Sequence, residues 1–334
     1  MKIVITGGAG FIGSTVVKMA LKKKYKVLNI DSLTYAGSKN NLQNLSNIKN
    51  YNFKKLNILN FKKIYQTLEI FKPNYIMHLA AASHVDNSIS NPLDFIKVNI
   101  EGTFNLLEVS RILLKKSKLP KNFRFHYVST DEVFGSLNKQ GLFDENSKLN
   151  PQNPYSASKA SSEHLVKSWG NTYNLPFLIS NCSNNYGPFQ HPEKLIPKVI
   201  INALLNKEIP IYGDGKNIRD WLHVNDHSDC LLKLVTKGKL FETYNIGSRN
   251  EVSNINIVKK ICEILDKKIK KKYSHHNLIT FVKDRPGHDL RYAISPKKIN
   301  KCLNWYPNVD FNLGLENTID WYMKNKVWWK KLIK

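Results

Sequence analysis

Residues 2–13 read KIVITGGAGFIG, an apolar run that passes into closely spaced glycines and then into an amphipathic stretch over 11–23. Gly8, Gly10 and Gly13 fit a G-x-G-x-x-G spacing, and Gly7, Gly10 and Gly13 the related G-x-x-G-x-x-G spacing. Glycines here let the backbone turn tightly and approach a pyrophosphate, whose charge is held by the N–H groups opening the following helix. A glycine triplet alone says little. Set between a strand and a helix, it demands a dinucleotide-binding strand–loop–helix unit and a sheet to carry it.

The pattern downstream supplies that sheet. Strand-like runs at 2–6, 26–30, 75–81, 125–129 and 177–180 alternate with helix-like stretches at 61–71, 92–116 and 154–173. Such alternation implies right-handed crossovers and a doubly wound parallel α/β sheet of the Rossmann type, covered on both faces. After Cys182 the pattern changes: SNNYGPFQHPEKLIP is rich in turn formers and reads as irregular. A helix near 195–205, a strand near 209–212 and a helix near 223–236 follow, and the chain closes on TIDWYMKNKVWWKK. The expected division is a dinucleotide domain of 1–182 plus about 219–238, and a smaller mixed α/β domain of about 183–218 and 239–334. The site should lie in the cleft between them.

The 334 residues carry a net charge of +25, an excess that can signal nucleic acid, membrane or an acidic ligand. Nearly all of it is Lys spread along the chain beside abundant Asn, which reads as a solvated surface rather than a nucleic-acid face rich in Arg and aromatics. The longest basic run, 267–272, reads as an exposed loop. No apolar stretch approaches bilayer length, no signal peptide is evident, and four scattered cysteines lack metal or disulfide spacing. A cytoplasmic protein with reduced thiols, no metal, and neither nucleic-acid nor membrane partners is expected.

Asp31 ends the second strand, where a carboxylate accepts from ribose hydroxyls and repels a 2′-phosphate. Ser32, Leu33 and Thr34 follow it with no basic residue, which favours NAD over NADP, although an Asp there could also simply open a turn. Tyr155 and Lys159 stand four apart on the helix opened by Pro154, hence on one face. There Lys159 can favour a Tyr155 phenolate, and the plainer reading is a solvated helix face. After the fifth strand the sequence is STDEVFG, so Asp131 and Glu132 offer an acid and a base if their surroundings separate the two pKa values.

With these motifs the chain resembles the extended short-chain dehydrogenase/reductases that act on nucleotide sugars, over nearly its whole length. The fragments DSLTYAG, LAAASHVDNSI, NCSNNYGPFQHPEKLIP, RDWLHVNDH and DRPGHDLRYA narrow the resemblance to the 4,6-dehydratases among them. The resemblance implies dTDP-glucose as substrate and NAD as a regenerated cofactor, with UDP-glucose dehydration, epimerisation or decarboxylation as alternatives. It implies that Thr130 and Tyr155 contact the sugar O4, that Glu132 takes the C5 proton and that Asp131 donates to the departing 6-hydroxyl. Phe11, Ile12, Ser32, Leu33, Thr34, Asn57, Ile58, Leu79, Ala80, Ala81, Ser83 and Asn185 would join Gly7, Gly10, Gly13, Asp31, Tyr155 and Lys159 around the cofactor. His84, Asn184, Lys194, Leu195, Pro210, Tyr212, Arg219, Asn254, Arg285 and His288 would surround the nucleotide and diphosphate. It further implies a homodimer through helices 92–116 and 154–173, with Leu106, Leu107 and Leu113 as candidate contacts. Phe134, Asn57, Val98 and Asn87 depart from the residues usual in the family.

Overall fold

The computed structural model describes residues 1–43, 45–138, 140–270 and 272–333. Twelve strands occur among them: β1 (Lys2–Thr6), β2 (Lys26–Asp31), β3 (Tyr51–Lys55), β4 (Tyr75–His78), β5 (Arg124–Thr130) and β6 (Phe177–Cys182) come first. They are followed by β7 (Asn184–Tyr186), β8 (Ile209–Tyr212), β9 (Ile218–His223), β10 (Glu242–Ile246), β11 (Glu251–Ser253) and β12 (Ile279–Val282). Seven form one parallel sheet in the order β10-β6-β5-β4-β1-β2-β3. The chain order reverses between β1 and β4, the switch point where open α/β sheets bind ligands.

Side-chain alternation along these strands feeds two cores. Ile3 and Ile5 of β1 face the helices Phe11–Lys22 and Val224–Lys237 through Val16, Leu231 and Leu234. Val4 faces the helices Phe61–Phe71, Gly102–Lys115 and Pro154–Tyr173 through Leu68, Leu106 and Val166. A third core gathers β8, β9 and the helices Leu195–Leu204, Asn254–Lys268 and Phe311–Lys324. β11, β9 and β7 make a small sheet, and β12 pairs with β8.

The structure differs from the sequence reading in several places. β10 joins the large sheet and Ile299, Leu303 and Trp305 enter its core, so that unit draws in residues that the sequence assigned to the second domain. β9 goes the other way, into the small sheet. The turn-rich segment after Cys182 contains β7, held by β9. Leu106, Leu107 and Leu113 are fully buried in the core, which removes them as interface contacts. Lys267 and Lys268 of the basic run close a helix rather than lying in a loop, with Lys268 Nζ 2.8 Å from Glu316 and 2.9 Å from Asp320. Lys271 lies outside the described residues.

The expected 92–116 helix is interrupted by a wide π-turn at Ile96–Glu101. Asn99 lies buried within the interruption. Its side-chain oxygen accepts from Ala82 N (2.8 Å) and its Nδ2 donates to Ala82 O (3.0 Å) and Ser158 Oγ (2.8 Å), while its backbone carbonyl accepts from Thr103 and Ser162. A widened turn often marks a functional site, and this one ties the segment after β4 to the helix bearing Tyr155.

Candidate active site

The glycine loop is fixed by close approach. Gly7 adopts φ +72°, and a Cβ there would stand 2.7 Å from the Ala80 backbone. At Gly13 a Cβ would meet Gly7 O at 2.1 Å. The helix that follows is capped by Gly10 with no side-chain hydrogen bond, leaving its first N–H groups available to an anion. Asp31 is buried at the end of β2, where its carboxylate accepts from Ala9 N (2.9 Å) and Leu33 N (2.8 Å). Burial raises its pKa, and those two bonds oppose the rise. Phe11, Ile12, Leu79, Ala80 and Ala81 sit where the β1 and β4 loops meet, with Ala80 N donating to Thr6 Oγ1 (3.2 Å).

The other cofactor candidates are less free. Asn57 Oδ1 already accepts from Leu59 N (3.0 Å), and Ile58 O from Asn105 (3.1 Å). Asn185 is tied to His227 (2.9 Å) and to Ser183 O (2.9 Å), and Ser83 O accepts from Lys194 Nζ (2.8 Å).

At the carboxyl end of β5, Thr130 Oγ1 accepts from Glu132 N (3.3 Å) and lies 3.4 Å from Asp131 Oδ1. Asp131 is 1% exposed. Burial, then the charges of Glu132 and Asp220, push its pKa well above the usual carboxylate value. Burial also raises Glu132, but Arg285, Arg219 and Lys194 pull it back. Asp131 Oδ2 and Glu132 Oε2 are both hidden from water without a partner. Both carboxyls are thus raised by burial, and at Glu132 three cations resist the rise.

Tyr155 departs from expectation. It is buried against Val85 and Phe95, and burial, followed by the Glu132 charge, drives its phenol well above the ordinary value. A hydrogen bond with Thr130 works the other way. The Lys159 ammonium donates to Val128 O (2.8 Å) and stands 4.2 Å from the centre of the Tyr127 ring, so its observed partners exclude Tyr155. Burial lowers Lys159 to about 8.

Lys194, Arg219 and Arg285 act on Glu132, and His288 lies close enough to Arg285 and Arg219 to be perturbed by them. Tyr212 OH donates to Asp86 Oδ2 (3.1 Å), and Arg285 pairs with the other oxygen at 3.4 Å. His288 bonds Asp284 at 2.6 Å. Arg219 is more committed than expected: it donates to Ile218 O (2.8 Å) and Asp289 O (2.9 Å) and stacks on Tyr292 at 4.3 Å. Buried polar atoms of His84, Asn184, Asn254 and Arg285 lack partners, as in a site shaped for a polar ligand. Pro210 lies on β8, and Leu195 opens its helix. Among the described residues, no His, Cys, Asp and Glu cluster suits a metal.

Sequence reasoning missed Asp86, Asp289 and Tyr292, which hold the basic residues in place. Each stood inside a fragment already singled out, LAAASHVDNSI or DRPGHDLRYA. It also missed Glu163, buried one turn beyond Lys159 and bonded to Asn181 (2.6 Å). Phe134 stacks on Phe143 at 5.3 Å in an apolar cluster where a hydroxyl has no role.

A family model described as GDP-mannose 4,6 dehydratase matches residues 4–318. The dTDP-glucose 4,6-dehydratase of Salmonella typhimurium is 50% identical, covering 98% of this chain and 94% of that protein. The crystal structure of the Bacillus anthracis dTDP-glucose 4,6-dehydratase in complex with NAD is 41% identical, with a TM-score of 0.89 and 99% of each chain covered. That of the Streptomyces venezuelae enzyme, also with NAD bound, is 37% identical with a TM-score of 0.92, covering 99% of this chain and 100% of that one. Fold, site and likeness agree: the chain belongs to the dTDP-glucose 4,6-dehydratases, in the nucleotide-sugar branch of the extended short-chain dehydrogenase/reductase family.

Proposed function

We propose that this chain removes water from dTDP-glucose to give dTDP-4-keto-6-deoxyglucose, with NAD bound and regenerated. The observation that carries the reading is the pair Asp131 and Glu132, adjacent and shielded from water, each with an unpartnered oxygen and with Arg285, Arg219 and Lys194 acting on Glu132. A 4-epimerase has no use for such a pair, because it breaks no bond at C5 or C6. The uncapped helix after Gly10, the cradle closed by Gly13 and the buried Asp31 carboxylate fit a dinucleotide without a 2′-phosphate.

When bound, the oxidised dinucleotide supplies an electron sink at sugar C4 and returns the two electrons at C6. Tyr155, with Thr130 beside it, takes the proton of O4. The ketone so formed acidifies C5–H, and Glu132 removes that proton. Asp131, protonated, donates to the 6-hydroxyl as it leaves, and water departs. Glu132 then returns its proton to C5. The proton gained by Tyr155 balances the one Asp131 gave up. Lys194, Arg219 and Arg285 supply the positive field for the diphosphate.

Purified protein given dTDP-glucose should release a product lighter by one water without stoichiometric consumption of added NAD. Mass spectrometry with dTDP-glucose, UDP-glucose and GDP-mannose in parallel reads both reaction and substrate. A product of unchanged mass would overturn the dehydratase reading. We also infer a homodimer, supported by Leu93, Ile96 and Phe104 exposed along 92–104 and Tyr173 exposed on the next helix. Native mass spectrometry of the same sample should give twice the 38.5 kDa chain mass, and a monomer would count against it. The free thiols of Cys182, Cys230, Cys262 and Cys302 support a cytoplasmic location, which cell fractionation checks.

Lys159 stands on the same helix face as Tyr155 and is cationic below about pH 8. Although it donates to Val128 O and not to the phenol, a cation one turn away favours a Tyr155 phenolate, so kcat/KM should fall as pH rises through about 8. Lys159→Met should remove that alkaline limb along with about 10²–10⁴-fold of rate. A wild-type profile that stays flat through this range would show the Lys159 charge to be unneeded.

A further inference from the structure

The last helix, Lys326–Lys330, packs in the third core, where Trp328 and Trp329 lie with Tyr322 and Leu315. Trp328 nevertheless reaches the first unit, its indole Nε1 donating to Asn41 Oδ1 at 2.8 Å. Asn41 is 2% exposed, and its Nδ2 donates to the carbonyl of Ala9 at 2.9 Å. Ala9 lies between the glycines, and its own N–H donates to Asp31 Oδ2 at 2.9 Å. One run of buried hydrogen bonds therefore joins the C-terminal indole to the carboxylate assigned to the cofactor ribose.

A second contact leads to the same place. The ammonium of Lys18, on the helix opened by the glycine loop, stands 3.9 Å from the centre of the Phe189 ring. Phe189 packs on Trp321 at 4.6 Å and edge-on to Trp328 at 5.7 Å. Its backbone has φ +69°, a strained conformation for a bulky side chain that persists only where the surroundings fix it. The aromatic cluster thus holds both the helix behind the loop and the segment beside it.

We propose that Trp328 is a positioning residue for the cofactor loop: through Asn41 it fixes Ala9 and thereby Asp31, so the C-terminal segment sets the affinity for the dinucleotide. This rests on the NAD-dependent reading above. Losing the indole donor leaves Asn41 Oδ1 buried and unpaired, a change worth about 5- to 30-fold in an equilibrium constant.

The test is calorimetric titration of NAD into the full chain as wild type, Trp328→Phe, Asn41→Asp and the double variant. Trp328→Phe keeps a large ring and removes the donor. Asn41→Asp keeps the acceptor for Trp328 and removes the donor to Ala9, so it remains informative if the ring change impairs folding. Each single variant should weaken NAD about tenfold, with kcat at saturating NAD within about twofold of wild type. The double variant should be no weaker than the worse single, because one chain of contacts is cut twice. Wild-type affinity in both singles, or losses that add in full, would overturn the proposal alone. A wild-type chain that bound no NAD would bring down both this proposal and the functional reading.

Discussion

Glu132→Gln is expected to stop the reaction after its first half. The substitution keeps the size and a hydrogen-bonding end but cannot accept the C5 proton. General-base catalysis is worth about 10²–10⁴-fold, so turnover should fall by that order while NAD binding stays intact. Because oxidation at C4 precedes the step that Glu132 serves, the variant should build up reduced nicotinamide on mixing with dTDP-glucose, seen by its near-ultraviolet absorbance. Exchange of the C5 proton with deuterated water should slow in parallel. A variant that lost NAD affinity instead would show Glu132 to be a structural residue. The surroundings sharpen the prediction. Arg285, Arg219 and Lys194 hold wild-type Glu132 toward its charged form, and glutamine would leave their combined field unanswered.

Gly13→Ala should impair function by a different route. A methyl group there would lie 2.1 Å from Gly7 O and 2.8 Å from Gly8 Cα, both backbone atoms with no side-chain freedom to yield. The loop must then open, and the helix N-terminus moves with it. Overpacking of this kind costs about 1–3 kcal/mol, so NAD affinity should drop about 10- to 100-fold with the sheet intact. Titration of NAD followed by intrinsic fluorescence measures the first, and circular dichroism the second. Unchanged affinity would mean that the loop accommodates the methyl and that its close packing is not required.

The parts of the fold written in continuous local pattern were legible. β1, the helix after it, β5 and the Pro154–Tyr173 helix announce themselves through period and caps, with Asn153 and Ser156 closing a capping box. β3 was not legible, because YNFKK carries little apolar weight and becomes a strand by pairing with β2. The same holds for β10, whose place beside β6 is decided across a long stretch of sequence. The π-turn depends on what Asn99 meets at Ala82 and Ser158, and no periodicity encodes that meeting. In the site, Tyr155, Lys159, Asp131 and Glu132 were readable as motifs. Their environments were not: that Lys159 spends its ammonium on Val128 O, and that Arg219 is stacked on Tyr292, follow only from packing.

Hiding Asp131 at the end of β5 also bears on how the chain holds together. Its native pKa stands well above that of an exposed aspartate, so at pH values between the two folding takes up a proton that the unfolded chain would give away. That contribution to stability is complete in acid and fades with rising pH, the reverse of an ordinary ion-paired carboxylate. At this one carboxyl, then, rising pH withdraws support from the folded chain, and the acid that serves elimination is also a point of alkaline sensitivity.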